Sequence, residues 1–156
     1  MTNIFFPEEK ILENDLFFVC YMVERIARRL KQKNSYIVNT IGKSELERLL
    51  SLANVLHSLN PLQVEDEWIE DYGLVEGVVD LTDVDHELVN EIPTATQIGK
   101  VYKRLIVDTT VLSENYADGI IRVYNNDICS IIDNYNGSAY YEPSYIIAKA
   151  YYEGGF

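Results

Sequence analysis

Apolar residues recur through the first part of the chain at steps that suit a helix. Leu12, Leu16, Val19, Val23, Ile26 and Leu30 form one continuous stripe at helical spacing, and Phe17, Phe18, Cys20 and Met22 widen it. The pattern predicts one long helix over residues 8–33, covered on several sides. Its tail, Arg25, Arg28, Arg29, Lys31 and Lys33, is basic. Cations there favour the negative end of the helix dipole, so the tail reads as helix chemistry and solvation, not a nucleic-acid patch. A short apolar stretch, Tyr36 to Ile41, leads to Gly42. Ser44 and Glu47 then make a capping-box pattern ahead of Leu46, Leu49, Leu50, Ala53 and Leu56, which predicts a second helix over 45–58. Asn60-Pro61 as cap and first turn, and Gly73 as stop, bound a third over 61–72. It places Leu62, Val64, Trp68, Ile69 and Tyr72 on one arc and Asp66, Glu67, Glu70 and Asp71 on the other, with Glu65 the exception.

From Leu74 to Pro93 the pattern weakens. Val75, Val78, Val79 and Leu81 are strand-like in type but do not alternate, so an extended segment or short hairpin around 74–92 is expected, with a helical turn from Asp83. Thr94 or Thr96 caps the next helix, where Ile98, Val101, Tyr102, Leu105 and Ile106 share a face opposite Lys100, Lys103 and Arg104. A further helix over 117–134 aligns Ile120, Ile121, Tyr124, Ile128, Ile131, Ile132 and Tyr135, closed by the turn pair Asn136-Gly137. Pro143 opens a last short helix that ends at Gly154-Gly155. The chain thus reads as mainly α, a single-core orthogonal bundle of five or six helices. Residues 1–156 form one domain, in which a helical half over 8–92 carries an acidic segment and a Tyr-rich half over 93–156 packs on it.

Charge sharpens this picture. No lysine or arginine lies between Arg48 and Lys100, and residues 61–99 carry eleven acids, so nearly all of the net charge of −12 sits in one central block. Such a block repels nucleic acid and anionic membrane and attracts a basic partner. The longest apolar run, Leu16 to Val23, is far too short to span a bilayer, and Met1 to Lys10 has no signal-peptide character, so a cytoplasmic location is expected. Eight of twelve tyrosines fall between Tyr116 and Tyr152, which suits a hydrogen-bonded core or, in a homodimer, a contact surface.

Candidate chemistry is sparse. His57 sits at a helix end, where capping is the natural role. Asp83, Asp85, His86 and Glu87 are the densest set of metal-ligand types, but they lack the glycine and the later glutamate of a calcium loop. Cys20 and Cys129 lie in apolar runs and read as inert buried thiols. No phosphate-cradling glycine loop, zinc spacing or nucleophile elbow is present, and no cofactor is implied.

The stretch LFFVCYMVERIARRLKQKNSYIVNTIGKSELERLLSLANVLHSLNPLQVEDEWIEDYGL, roughly residues 15–74, resembles a family of small uncharacterised bacterial proteins. Its members pair a hydrophobic first helix with a Tyr-Ile-Val-like link, a leucine-rich second helix and an acidic third one. The resemblance implies a place beside ADP-ribosyltransferase-like partners in mobile loci, and so an antitoxin or immunity role. The leading expectation is a non-enzymatic interaction module that neutralises a basic partner. Asp66, Glu67, Glu70, Asp71, Glu76 and Asp80 would form its surface, with Trp68 or Tyr72 as anchors where exposed. The alternatives are a nucleic-acid mimic that blocks a DNA-binding protein, and a small metal-dependent hydrolase at Asp83, Asp85, His86 and Glu87.

Overall fold

In the computed structural model, which describes residues 1–156, the first apolar stripe forms α1 (Glu13–Leu30). Leu16, Val19, Val23 and Ile26 on it are fully buried. The helix starts later than its pattern predicts, because the Asp15 carboxylate accepts the Leu12 amide at 2.7 Å and sets the first turn there. The preceding residues form an irregular arm held by Asn3, whose side chain donates to the Ser51 carbonyl at 2.7 Å and accepts from the Phe5 and Phe6 amides. Lys31, in the left-handed conformation at φ 53°, ends α1.

Residues 34–41, expected only as an apolar stretch, form α2 (Asn34–Ile41), and Gly42 at φ 81° turns the chain into α3 (Lys43–Leu56). The Ser44–Glu47 capping box does not form. Gly42 is the N-cap, and Glu47 accepts from the Asn115 side chain instead. The next helix, α4 (Pro61–Tyr72), forms as read: the Asn60 side chain accepts the Leu62 amide at 2.9 Å, and Gly73 closes the helix at φ 59°. Trp68 is 2% exposed, packed edge-on against Phe18, which makes it core and not an interface anchor. Tyr72 is half-buried, its hydroxyl donating to Glu45.

The hairpin expected around 74–92 is absent, and the only strand-like pairing in the chain is one bridge between Thr2 and Lys10. Residues 73–94 instead lie as an irregular segment across the C-terminal end of α1. The Gly77 and Val79 amides donate to the Leu30 and Lys31 carbonyls at 2.7 and 2.8 Å, so the segment satisfies helix-end acceptors that would otherwise face water. A side chain at Gly77 would place its Cβ 2.7 Å from the Lys31 carbonyl oxygen, so the approach needs glycine. Leu74 and Val84 pin the segment into the core.

Thr94 and Gln97 cap α5 (Ala95–Asp108) reciprocally. The single helix predicted over 117–134 is two, α6 (Tyr116–Tyr124) and α7 (Ile128–Ile132). Asparagine side chains compete with the helical ladder at the break. Asn125 donates to the Ile121 carbonyl and exchanges two 2.8 Å bonds with Asn39, while Asn126 accepts the Ile128 amide. A 3-10 turn (Ala139–Tyr141) leads to α8 (Ser144–Glu153).

The eight helices make a mainly α bundle around α1, which packs against α2, α3, α4 and, most extensively, α5. Gly99 lets α5 approach α1 closely, since a Cβ there would lie 3.0 Å from the Tyr21 Cα and from the Phe17 ring. α6 covers α2, α3 and α5, with Tyr124 stacked on Tyr102 at 4.3 Å, and α8 covers α5. The tyrosines divide between roles: Tyr102, Tyr124 and Tyr135 are buried, whereas Tyr141, Tyr145 and Tyr152 are exposed. No helix is long and apolar enough to cross a membrane.

Candidate functional site

The basic tail of α1 does more than balance a helix dipole. Arg25 donates through Nε and Nη2 to Glu65 at 2.8 Å, and Arg29 reaches Asp66 at 2.7 Å and Glu65 at 3.9 Å. Glu65, the residue that broke the amphipathic pattern of α4, is buried because these arginines meet it across the α1–α4 seam. Asp66, expected at an interaction surface, is thereby partly engaged within the molecule. The remaining acids of the central block are exposed and lie in no salt bridge: Glu67, Glu70, Asp71, Glu76, Asp80, Asp83, Asp85, Glu87 and Glu91. Between them stand Val75, Val78 and Leu88, which are 59%, 95% and 71% exposed. The segment therefore presents carboxylates and bare aliphatic side chains together, on a backbone held at both ends.

The structure does not gather the expected metal ligands. Asp83, Asp85, His86 and Glu87 are all exposed, and no group of three His, Cys, Asp or Glu side chains suited to a metal ion occurs in the chain. Asp85 spends its carboxylate on the Glu87 amide at 2.9 Å, and its own amide is held by Asn136 at 2.6 Å. Asp80 accepts the hydroxyl and the amide of Thr82, bonds that hold its carboxyl below the usual range. His57 is the backbone C-cap of α3. Burial pushes both thiols up to about 12, so Cys20 and Cys129 are protonated and inert.

A second polar group, which the apolar patterns conceal, lies inside the bundle. Glu24 of α1 is buried and accepts from Arg28 at 2.6 Å, from Tyr135 at 2.7 Å and from Asn34 at 2.9 Å. The Asn34 amide also donates to Asp133 at 3.2 Å, and the Tyr102 hydroxyl donates to the other Asp133 oxygen at 2.5 Å. Of the two carboxylates only Glu24 meets the arginine directly, and the remaining reach of Arg28 goes to the Pro93 carbonyl at 2.7 Å. Burial, with the Glu24 charge second, holds the Asp133 carboxyl well above its ordinary range. Burial also raises Tyr135 and Tyr102, with the Glu24 charge second for Tyr135 and the Asp133 charge second for Tyr102, and both stay neutral donors. Beside this cluster a cleft of about 390 Å³ opens between α2, α7 and residues 79–81, lined in part by Asn34, Tyr124, Cys129 and Asp133. The cluster's sequence signal is Glu24, a carboxylate inside the apolar stripe of the first helix, with Arg28 one turn on.

Fold and surface together define a small all-α acidic domain. Compared with protein-family models, with curated proteins and with solved structures, the chain matches none of them.

Proposed function

We propose that the protein is a non-enzymatic interaction module of antitoxin, immunity or inhibitor type, which neutralises a basic partner protein through residues 67–91. One observation carries this reading: the acids of that stretch have no cation within the molecule and alternate with exposed Val75, Val78 and Leu88. An ordered, irregular segment of this length in a small domain is uncommon, and such segments usually serve function. Carboxylates would steer a basic partner and fix its register, and the aliphatic side chains would supply contact area. Asp66 has a smaller part, because Arg29 already engages it.

Affinity capture with the product of the neighbouring gene tests the reading. The wild-type chain should retain a basic protein that added salt releases. A variant with Glu67, Glu70, Asp71 and Glu76 changed to Lys, and a second with Val78→Asp, should each lose it. Equal retention by both variants refutes the proposal. Displacement of the partner by duplex DNA would favour nucleic-acid mimicry over simple neutralisation.

A further inference from the structure

We infer that Asn136 is a site of spontaneous deamidation, and that its conversion to aspartate or isoaspartate loosens the hold on residues 80–92. Asn136 is the one asparagine of the chain that is followed by glycine. The pair is exposed and lies outside any helix, between α7 and the 3-10 turn. There the Gly137 backbone nitrogen is the nucleophile and the Asn136 side-chain carbonyl carbon is the electrophile. Glycine presents that nitrogen with no Cβ beside it, so the backbone can fold onto the preceding side chain. The Asp85 amide donates to Asn136 Oδ1 at 2.6 Å, which polarises the carbonyl and faces the oxyanion that forms on attack.

The reaction needs no reagent but water. The Gly137 nitrogen gives its proton to solvent and bonds to Asn136 Cγ. The Cγ–Nδ2 bond then breaks, and Nδ2 leaves with a solvent proton as ammonia. Water opens the cyclic imide in one of two ways: cleavage between Cγ and the Gly137 nitrogen leaves aspartate, and cleavage at the main-chain carbonyl leaves isoaspartate. No atom is oxidised or reduced. The Gly137 amide donates only to the Asn134 carbonyl at 3.0 Å, in an exposed turn, so a single local bond has to open first.

The consequence falls on the acidic segment. The Asp85–Asn136 bond is the one hydrogen bond that ties residues 80–92 to another part of the chain. Either product sets a new negative charge against Asp85, in a stretch whose acids are in no salt bridge. Isoaspartate also lengthens the main chain by one carbon and carries its carboxylate on a shorter branch, so the Asp85 amide loses its acceptor. The reaction occurs in the lone chain and does not rest on the partner-binding reading.

Peptide mapping by mass spectrometry tests the site in the full chain, aged at physiological temperature in mildly alkaline buffer. Asn136 should gain one mass unit, mostly as isoaspartate by its fragmentation, while the other asparagines keep their amides. Gly137→Ala should slow the conversion severalfold. A Cβ there meets only the Asn134 carbonyl oxygen, at 3.5 Å, and φ is not positive, so the variant keeps the fold. In the aged chain the Asp85 amide should exchange faster with solvent, as followed by NMR, while the Gly77 and Val79 amides bound to the end of α1 stay protected. An Asn136 that keeps its amide in the folded chain but loses it in urea would overturn the site, as would a rate untouched by Gly137→Ala. Unaltered Asp85 exchange in the converted chain would overturn its effect on the acidic segment.

Discussion

Glu65 and Asp133 are both acids drawn into the bundle, and they solve burial differently. Glu65 lies at the α1–α4 seam and meets two arginines that are themselves partly exposed to solvent. Asp133 lies under α2 and α7 and meets a tyrosine, an amide and a neighbouring carboxylate, so it is held towards its protonated form. Desolvation penalises both charges, and only a nearby cation repays it. The difference teaches where this acidic chain is closed and where it is open. The seam is a finished contact, whereas Asp133 meets no cation directly and lies beside a cleft.

The largest effect should come from breaking the finished contact. Arg25→Ala leaves Glu65 buried with only the longer contact from Arg29, and should cost about 3 kcal/mol in urea denaturation. A loss below about 1 kcal/mol would mean that solvent compensates the seam, and the contrast with Asp133 would fail. Next in size is Tyr102→Phe, which removes a donor from Asp133 and should cost about 1–2 kcal/mol. Tyr72→Phe removes a similar bond to half-exposed Glu45 and should cost less, about 0.5 kcal/mol. Equal losses for the two would show that the cluster is no drier than the surface.

Local signals carried most of the fold. Asn60-Pro61 through Gly73 and the Thr94–Gln97 pair form as their residue types require, because a cap is satisfied within a few residues of itself. Ser44–Glu47 has the same form and fails, since Gly42 begins the helix and distant Asn115 takes Glu47. The break at Asn125–Asp127 was hidden in a continuous apolar pattern, because side-chain competition for the backbone leaves hydrophobic spacing intact. The acidic segment was visible by composition, but its hydrogen bonds to the end of α1 were not. The cleft was out of reach of any local rule. It needs Asn34 and Asp133 side by side, and the chain between them says nothing of their meeting.

A third and subtler test uses pH. The native Asp133 carboxyl titrates above its unfolded value, so the folded state holds a proton that the unfolded state has already lost. The stabilisation this proton provides is complete below the ordinary carboxylate range and is lost as pH rises through the raised native value. Asp133→Asn has no such proton. It should therefore gain on the wild type as pH climbs from the acid side of neutrality to the mildly alkaline, by about 1 kcal/mol or more in denaturation midpoints. A constant difference across that range would mean that Asp133 is charged and compensated in the folded chain.

The smallest effect belongs to the open face. Changing Glu67, Glu70, Asp71 and Glu76 to Gln removes charges that are exposed and in no salt bridge, so stability should move by no more than about 0.5 kcal/mol. The direction should be upward, since like charges crowd this face and repel one another in the folded chain. Added salt should stabilise the wild type more than the variant, because screening relieves the same repulsion. A marked loss of stability would instead mean that these carboxylates are used within the fold, as Glu65 is. They would then not be free for a partner.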